Sequence, residues 1–483
     1  MLKGAFFLSL SQVVSALTSL LMQLYLGRTL GPELYGVYGV INAFIVINEM
    51  MLMRGIYDTL SRFTAEKEEA ASAILSVMLK ATAVLGLTLC GLYLLFAPRL
   101  ASLLNDPELS GYIKLSSFSI LVSLLSTVYL GAFNGLRRFA GQALIFMVFS
   151  ATRLVAVIAL VYYGFAVKGV VIGLLISEIV RLIMARGLYR HTGTNVGFRS
   201  RELTGFALQL IIISFFSALV MYVDLLAVKA FIRKNLETGL YTSAVTISRI
   251  SAILIMPVTL AMVPILSKAI SEGDAVLTEN RIRQALRLLL MLILPVSLIA
   301  IATSGECISF LYGDRYAQAS TPLKILLAGG IFLSGKALMY SVIVAAGHPL
   351  LLISIGLFSL ITEVVLLMLL LGKWGLSGAA AASTITHLLG FIVCYVYVSR
   401  RFMTRAAPYS LVRIIAASLL VYFAALAYSP KGFALLIFYT ILIALFFSLL
   451  IIMKEIDIET VRITSKEIWG QFRDRLPGRS NLT

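Results

Sequence analysis

Short polar punctuation cuts this chain into long apolar runs, and about 20 such residues are enough to cross the hydrocarbon core of a bilayer as a helix. Taking each run bounded by charges, Gly or Pro as one helix gives about 14. They lie near residues 4–26, 36–58, 73–97, 112–133, 141–163, 168–190, 205–230, 240–266, 285–304, 321–345, 350–371, 375–399, 410–428 and 431–453. A transmembrane β-barrel would instead show short segments of alternating polarity. Composition agrees: 60% of the 483 residues are hydrophobic and 13% are charged, where a soluble domain has about a quarter charged. Mean hydropathy is +0.97. The expected fold class is therefore an all-α integral membrane protein. The run after Lys3 is too long for the apolar core of a signal peptide and is expected to remain as the first transmembrane helix.

The formal net charge is +17, which in a soluble chain would suggest nucleic acid. Here the basic residues collect in alternate connections, and no basic stripe with interleaved aromatics lies on a polar face, so no nucleic-acid partner is expected. Arg62, Lys67, Arg137, Arg138, Arg186, Arg190, Arg199, Arg201, Lys268, Arg281, Arg283, Arg287, Arg400, Arg401 and Arg405 share one side with the tail. The other side holds Arg28, Arg99, Lys168, Arg233, Lys234, Arg315, Lys373 and Lys431. The richer side is expected to be cytosolic, placing both termini in the cytosol and the chain in the cytoplasmic membrane. The longest connections on the poorer side, near 98–111 and 305–320, leave no room for a catalytic domain, so no enzymatic activity is expected. Cys90, Cys307, Cys394, His191, His348 and His387 are scattered, and no metal site is expected. In the tail, Ile468, Trp469, Phe472 and Leu476 share a helical face, which suits either a helix lying on the membrane or a disordered segment.

The segment from Leu26 to Asp58 sets the theme. Gly31-Pro32 makes a turn, Pro32 and Glu33 suit the start of a helix, and the apolar run that follows carries Asn42, Asn48, Glu49 and Arg54. Lipid does not tolerate these side chains, so they are expected to face protein or a water-filled cavity. The two halves of the chain echo each other. Gly36-x-Tyr38 opens the second segment and Gly239-x-Tyr241 the eighth (239 − 36 = 203). Gly169 and Gly378 open the sixth and twelfth (378 − 169 = 209), and Gly135 and Gly347 end the fourth and tenth (347 − 135 = 212). Near-constant offsets indicate two six-helix lobes related by an axis along the membrane normal, with two further helices appended. The expected division is a first lobe at 1–190, a cytosolic linker at 191–204, a second lobe at 205–400, the appended helices at 401–453 and a cytosolic tail at 454–483. Two lobes around a central cavity is an arrangement that transporters use.

Cations at membrane depth cost about 3 kcal/mol each on insertion scales and require a reason. Arg249 lies midway along the eighth segment, Lys336 in the tenth and Arg54 near the end of the second. Together they suggest a basic cavity for an anion such as phosphate, with Asn42 and Asn48 among its polar lining; pairing or snorkelling is the structural alternative. Arg153 with Glu178, and Glu363 with His387, lie at matching depth on adjacent segments and are read as structural pairs locking helical hairpins. Asp224 and Glu49 are candidates for coupling transport to H⁺ or Na⁺, or else they neutralise a nearby arginine. No other cofactor is expected.

LGRTLGPELYGVYGV at 26–40, GAFNGLRRF at 131–139, GLYTSA at 239–244, LYGDRYAQA at 311–319 and WGLSGAAAAS at 374–383 occur in the order found in a known family. With Lys3-Gly4 they resemble the polysaccharide flippases of the multidrug/oligosaccharidyl-lipid/polysaccharide exporter superfamily. The resemblance covers about residues 1–400. It implies two six-helix lobes forming a V and turnover of a polyprenyl-pyrophosphate-linked oligosaccharide, with cavity cations on the pyrophosphate and a lateral opening for the lipid tail. It also implies membrane lipids, and other polysaccharide-assembly proteins, as partners. Two readings stay open beside it: a cation-coupled multidrug antiporter of the same superfamily, and a peptidoglycan-precursor flippase, in whose family the two extra helices shape a groove for the lipid tail.

Overall fold

The computed structural model describes residues 2–190, 200–403 and 408–455. Most of the expected linker, including His191 and Arg199, and the amphipathic face of the tail lie outside the described residues. Among the described residues there is no strand. Among the described residues, eleven continuous helical stretches are long and apolar enough to cross a membrane. Leu95, Val155, Ile183, Met368 and Ile437 are among the exposed apolar side chains that cover their outer surfaces. The chain is a multi-pass membrane protein.

The sequence shows about 14 apolar runs where length and apolarity along the fold give eleven stretches, and the difference has a local cause. Leu10–Glu66, Phe139–Leu188 and Leu351–Phe402 are 57, 50 and 52 residues long. Each breaks at a glycine of positive φ: Gly31 at 73°, Gly164 at 88° and Gly375 at 54°. A side chain is strained in that region, and glycine is not. The two later breaks fold the helix back as a hairpin, with Gly173 against Val157 and Gly378 against the carbonyl of Leu370.

The first lobe contains α1 (Leu2–Asn48), α2 (Arg54–Glu66), α3 (Ala71–Leu103), α4 (Leu109–Gly135), α5 (Phe139–Leu160) and α6 (Ala166–Leu188). The second contains α7 (Ser200–Val220), α8 (Val223–Ile232), α9 (Asn235–Ser248), α10 (Ile250–Ser271), α11 (Ala275–Ala302), α12 (Ser304–Tyr312), α13 (Ser320–Ala345) and α14 (Leu351–Phe402). Two appended helices, α15 (Pro408–Ala427) and α16 (Ala434–Ile452), pack on α11. Left-handed turns recur between the lobes: Gly31 with Arg233, Asn105 with Gly313, Arg137 with Gly347, and Gly164 with Gly375. Their spacing runs from 233 − 31 = 202 to 375 − 164 = 211 residues. The turn after α4 is thus made by Arg137, two residues beyond the glycine that the sequence pattern singles out.

The lobes meet where the repeat places matching residues face to face. A Cβ on Gly36 would lie 2.2 Å from the carbonyl oxygen of Asn235, and one on Gly239 would lie 1.8 Å from that of Pro32. One hydrophobic core crosses this seam, joining Tyr35, Tyr38 and Ile41 to Leu240, Tyr241 and Tyr312. Two others lie mainly within the lobes, and a fourth fixes α15 and α16 to α11.

Candidate functional site

Three helices lose regular geometry around the seam. The α1–α2 arm contains a π-turn at Glu49–Met53, the α7–α8 arm breaks at Met221 and Tyr222, and the α9–α10 arm breaks at Arg249. Irregular backbone at membrane depth is tolerated only where it is buried in protein or lines a cavity, and π-turns gather at functional positions. The second and third breaks satisfy each other: Arg249 Nη2 donates to the Met221 carbonyl at 2.5 Å. The Arg249 guanidinium stacks 4.2 Å from the centre of the Tyr222 ring, a cation–π geometry.

The π-turn aims Glu49, Met50, Met53 and Arg54 at Ser214 and Ser217 of α7 across a cavity of about 340 Å³. Beside it, Gln12, Ser15 and Ser19 of α1 and Arg153 of α5 line a second cavity of about 280 Å³. Arg153 is within electrostatic reach of Glu49 and Tyr38, and Tyr38 of Tyr222, beneath Arg249. The first of these cavities spans the two lobes, whereas the cavity of Arg153 is lined by the first lobe alone. Gln23 continues the polar path by accepting from Thr246 at 2.9 Å. A small cavity of about 30 Å³, lined by Asp224, Ser248, Arg249, Ser383 and His387, has room for a water or two.

The residues expected from sequence separate into different places. Arg249 is at the seam. Arg54 lines the first cavity, but its side chain is 74% exposed and lies 3.9 Å from Asp58. Lys336 does not reach the seam: it is buried inside the second lobe, with Nζ 3.4 Å from His387 Nδ1 and its stem against Gly390. Glu363 is fully buried there, with Ser383 and Lys336 as polar neighbours, so the expected Glu363–His387 pair is a cluster organised around Lys336. Neither Glu363 oxygen has a hydrogen bond of good geometry.

In the first lobe, Glu178 is held at 2.5 Å by Arg181, not by Arg153. Arg181 also donates to Ser126 Oγ at 2.9 Å and stacks on Phe149. That leaves Arg153 free to point to α1, where it reaches the Ser15 carbonyl at 3.4 Å. Asn48 faces α3 rather than the cavity, with Nδ2 2.6 Å from the Tyr93 hydroxyl. Asn42 is half-buried, 3.5 Å from the Tyr38 hydroxyl. Glu49 lines the cavity, whereas Asp224 is buried and accepts from Tyr241 at 2.8 Å and from the Leu225 amide at 2.7 Å.

Contacts bridge the seam toward both ends, at the basic end between α2 and α7. At the end of the bundle carrying the Gly31 turn, Lys229 of α8 bonds Asp106 of the first lobe at 2.6 Å and also donates to Asn235. Lys229 is 1% exposed, and Asn105 Nδ2 donates to the Ala230 carbonyl beside it. Arg28 donates to the carbonyls of Leu311 and Phe310, the Tyr316 hydroxyl donates to the Gly27 carbonyl, and the Tyr35 and Tyr312 hydroxyls lie 3.1 Å apart. The 26–40 and 311–319 motifs thus form one plug across the seam. At the basic end, Phe63 meets Phe206, Arg62 stacks 4.8 Å from the centre of that ring, and Gly55 abuts Ile211.

The matches to known proteins follow this architecture. A family model described as a polysaccharide biosynthesis protein matches residues 25–321, more than half of the chain. The fold is similar to that of the lipid II flippase MurJ in an inward closed conformation, with TM-score 0.78 and 16% identity over 93% of this chain and 99% of that one. It is also similar to an inward-facing multidrug resistance MATE family transporter of the MOP superfamily (TM-score 0.72, 18% identity, 83% and 98% of the two chains). A MOP superfamily transporter from Pyrococcus furiosus matches at TM-score 0.64 and 19% identity over 83% and 96%. No curated protein matches by sequence. The fold is thus that of the MOP superfamily transporters. The chain belongs to the polysaccharide biosynthesis family whose model it matches.

Proposed function

We propose that this protein moves a polyprenyl-pyrophosphate-linked oligosaccharide, the repeat unit of a polysaccharide, from the cytosolic to the outer leaflet of the cytoplasmic membrane by alternating access. The observation that carries this reading is a half-buried arginine on a polar cavity in each lobe, Arg153 between α1 and α5 and Arg249 inside the second lobe, together with a third cavity that Glu49 and Arg54 share with Ser214 and Ser217 across the lobes. Pyrophosphate needs planar, multidentate cations, and a guanidinium supplies them. The amide of Gln12 and the hydroxyls of Ser15, Ser19, Ser214 and Ser217 suit a glycan. Among the described residues α1 and α10 make no extended contact, which offers the lipid tail a lateral exit from the seam. Family membership favours a polysaccharide unit over a peptidoglycan precursor. An antiporter of cationic drugs would want acidic walls, and here each carboxylate that lines one of these cavities shares it with an arginine, Glu49 with Arg54 and Asp224 with Arg249. Both termini lie in the cytosol on this reading, and Glu49 is the coupling group if H⁺ or Na⁺ drives the cycle.

Binding of the purified protein to a polyprenyl-pyrophosphate oligosaccharide tests the site. Arg153→Ala and Arg249→Ala should each weaken binding about tenfold or more, the loss of one charge-assisted contact. Binding of the same lipid without its pyrophosphate should not change. Wild-type affinity in both variants would remove the anion site from the seam.

A further inference from the structure

Four tyrosines fill the plug at the Gly31 end of the seam. α1 resumes after Gly31 with Tyr35 and Tyr38 one turn apart on one face. Tyr312 ends α12, and Tyr316 follows in the 3₁₀ turn Asp314–Ala319. None of the four is more than 2% exposed. The Tyr35 ring centre lies 5.7, 5.5 and 6.1 Å from those of Tyr38, Tyr312 and Tyr316, and Tyr312 and Tyr316 are 5.2 Å apart. Each lobe thus owns a pair of rings, and the two pairs close on each other across the seam. Sealing alone does not explain tyrosine. Leucine or phenylalanine would supply the apolar area without burying a phenol, and a buried hydroxyl needs a partner. The Tyr35 and Tyr312 hydroxyls lie 3.1 Å apart, and both have the Thr246 hydroxyl as a polar neighbour. The Tyr38 hydroxyl reaches Asn42 Oδ1 at 3.5 Å, a long contact. Rings and hydroxyls together make an amphipathic surface that is folded against itself in this state.

With a lipid-linked glycan as cargo, the reading on which this rests, we propose that these tyrosines are the glycan-binding surface of the state open at the Gly31 end. Separation of the lobes exposes one ring pair on each wall, and sugar rings stack on them. A sugar ring has an apolar C–H face and a rim of hydroxyls. Tyrosine matches both, and with two rotatable angles it loses little freedom on binding. Position fits the cargo. Tyr38 is within electrostatic reach of Arg153 and Tyr222, and Tyr222 carries the Arg249 guanidinium. At the other edge of the cluster, the Tyr316 hydroxyl donates to the Gly27 carbonyl at 2.7 Å. The tyrosines therefore run from the arginines toward the end of the bundle, the course a glycan takes when its pyrophosphate stays at the arginines. Ser214 and Ser217 lie on the cavity of Glu49 and Arg54, toward the basic end, so each direction of opening has its own glycan surface.

Asp106→Asn removes the ionic partner of Lys229 at this end and supplies the open state. In that background, the affinity of the full chain for a polyprenyl-pyrophosphate oligosaccharide is divided by that for the same polyprenyl pyrophosphate without sugar. The ratio should exceed that of the wild-type protein. Tyr35→Leu/Tyr312→Leu should lower it about tenfold or more, and Tyr35→Phe/Tyr312→Phe, which keeps both rings, should retain most of it. A ratio no higher than wild type, one that the leucine pair leaves unchanged, or one that the phenylalanine pair lowers as far as the leucine pair does would overturn the proposal. A second measurement needs no tyrosine variant. Thr242 packs against Gly39, beside Tyr38. With the three native cysteines replaced by serine, Asp106→Asn/Thr242→Cys is labelled with an impermeant maleimide. Free oligosaccharide released from the same lipid, added at millimolar concentration, should slow that labelling, and an unchanged rate would overturn the proposal. Free oligosaccharide carries no pyrophosphate, so the arginines are tested apart from the tyrosines. A ratio that follows the tyrosines while Arg153→Ala and Arg249→Ala bind like wild type would support the tyrosine surface and remove the anion site alone.

Discussion

Asp106→Asn should open the seam at the end where Lys229 closes it. Lys229 Nζ is almost wholly buried, and its bond to Asp106 is the ion pair joining the two lobes there among the described residues. Removing one partner of a buried pair costs about 3–5 kcal/mol, because the remaining charge is left dry and unpaired. Asparagine still accepts a hydrogen bond, and Asn235 remains a second acceptor, so the low end of about 3 kcal/mol applies. At 1.36 kcal/mol per factor of ten, that shifts the balance between this closed state and one open at this end roughly 150-fold. Thr242 reports the shift: it is 6% exposed, with its side chain packed against Gly39 at the seam. In a background where the buried Cys90, Cys307 and Cys394 are serine, Thr242→Cys should react with a membrane-impermeant maleimide at least about tenfold faster when Asp106→Asn is added. Adding Lys229→Gln should return most of the difference, since removing both charges leaves nothing unpaired. Equal labelling with and without Asp106→Asn would refute the latch.

Gly239→Ala should have the same labelling phenotype without any change of charge, because its Cβ would meet the Pro32 carbonyl, a backbone atom that cannot move aside. Lys336→Met should lower the thermal midpoint, by about 3–5 kcal/mol of lost stability for a buried Glu363 without its cation, while ligand affinity of the folded protein stays within about twofold. A large loss of affinity with unchanged stability would return Lys336 to the substrate site. Tyr316→Phe deletes the hydrogen bond to Gly27 and should loosen the plug by about 1 kcal/mol, read from the same Thr242→Cys labelling. Glu49→Gln should abolish any response of turnover to an H⁺ or Na⁺ gradient; an unaltered response would exclude Glu49 as the coupling group.

Much of this fold is legible in the chain because lipid enforces simple rules. Apolar run length gives the spans, Gly31-Pro32 announces its turn, and Gly36 and Gly239 mark matching points that meet at the seam. Depth along a helix is also readable, and Arg249 does sit where its segment breaks. Direction around the helix is not. Lys336 and Arg153 have suitable depth, but only packing decides that the first turns into its lobe and the second toward α1. Arg181 carried a usable signal: it stands three residues after Glu178 in an apolar run, the spacing that puts both side chains on one helical face. The Lys229–Asp106 pair carried none, since 123 residues separate its members and each alone reads as an ordinary charge near a helix end. The π-turn at Glu49–Met53 has no composition of its own, and it is what turns Glu49 and Arg54 onto the cavity.

Leaflet turnover itself can be followed in proteoliposomes. Polyprenyl-pyrophosphate oligosaccharide is placed in both leaflets, and an impermeant glycosidase removes the glycan exposed outside. With the wild-type protein, the protected inner pool should become accessible, and with Arg153→Ala/Arg249→Ala it should stay protected as in empty vesicles. An inner pool that stays protected with correctly inserted wild-type protein, under an H⁺ gradient, a Na⁺ gradient or neither, would contradict the account.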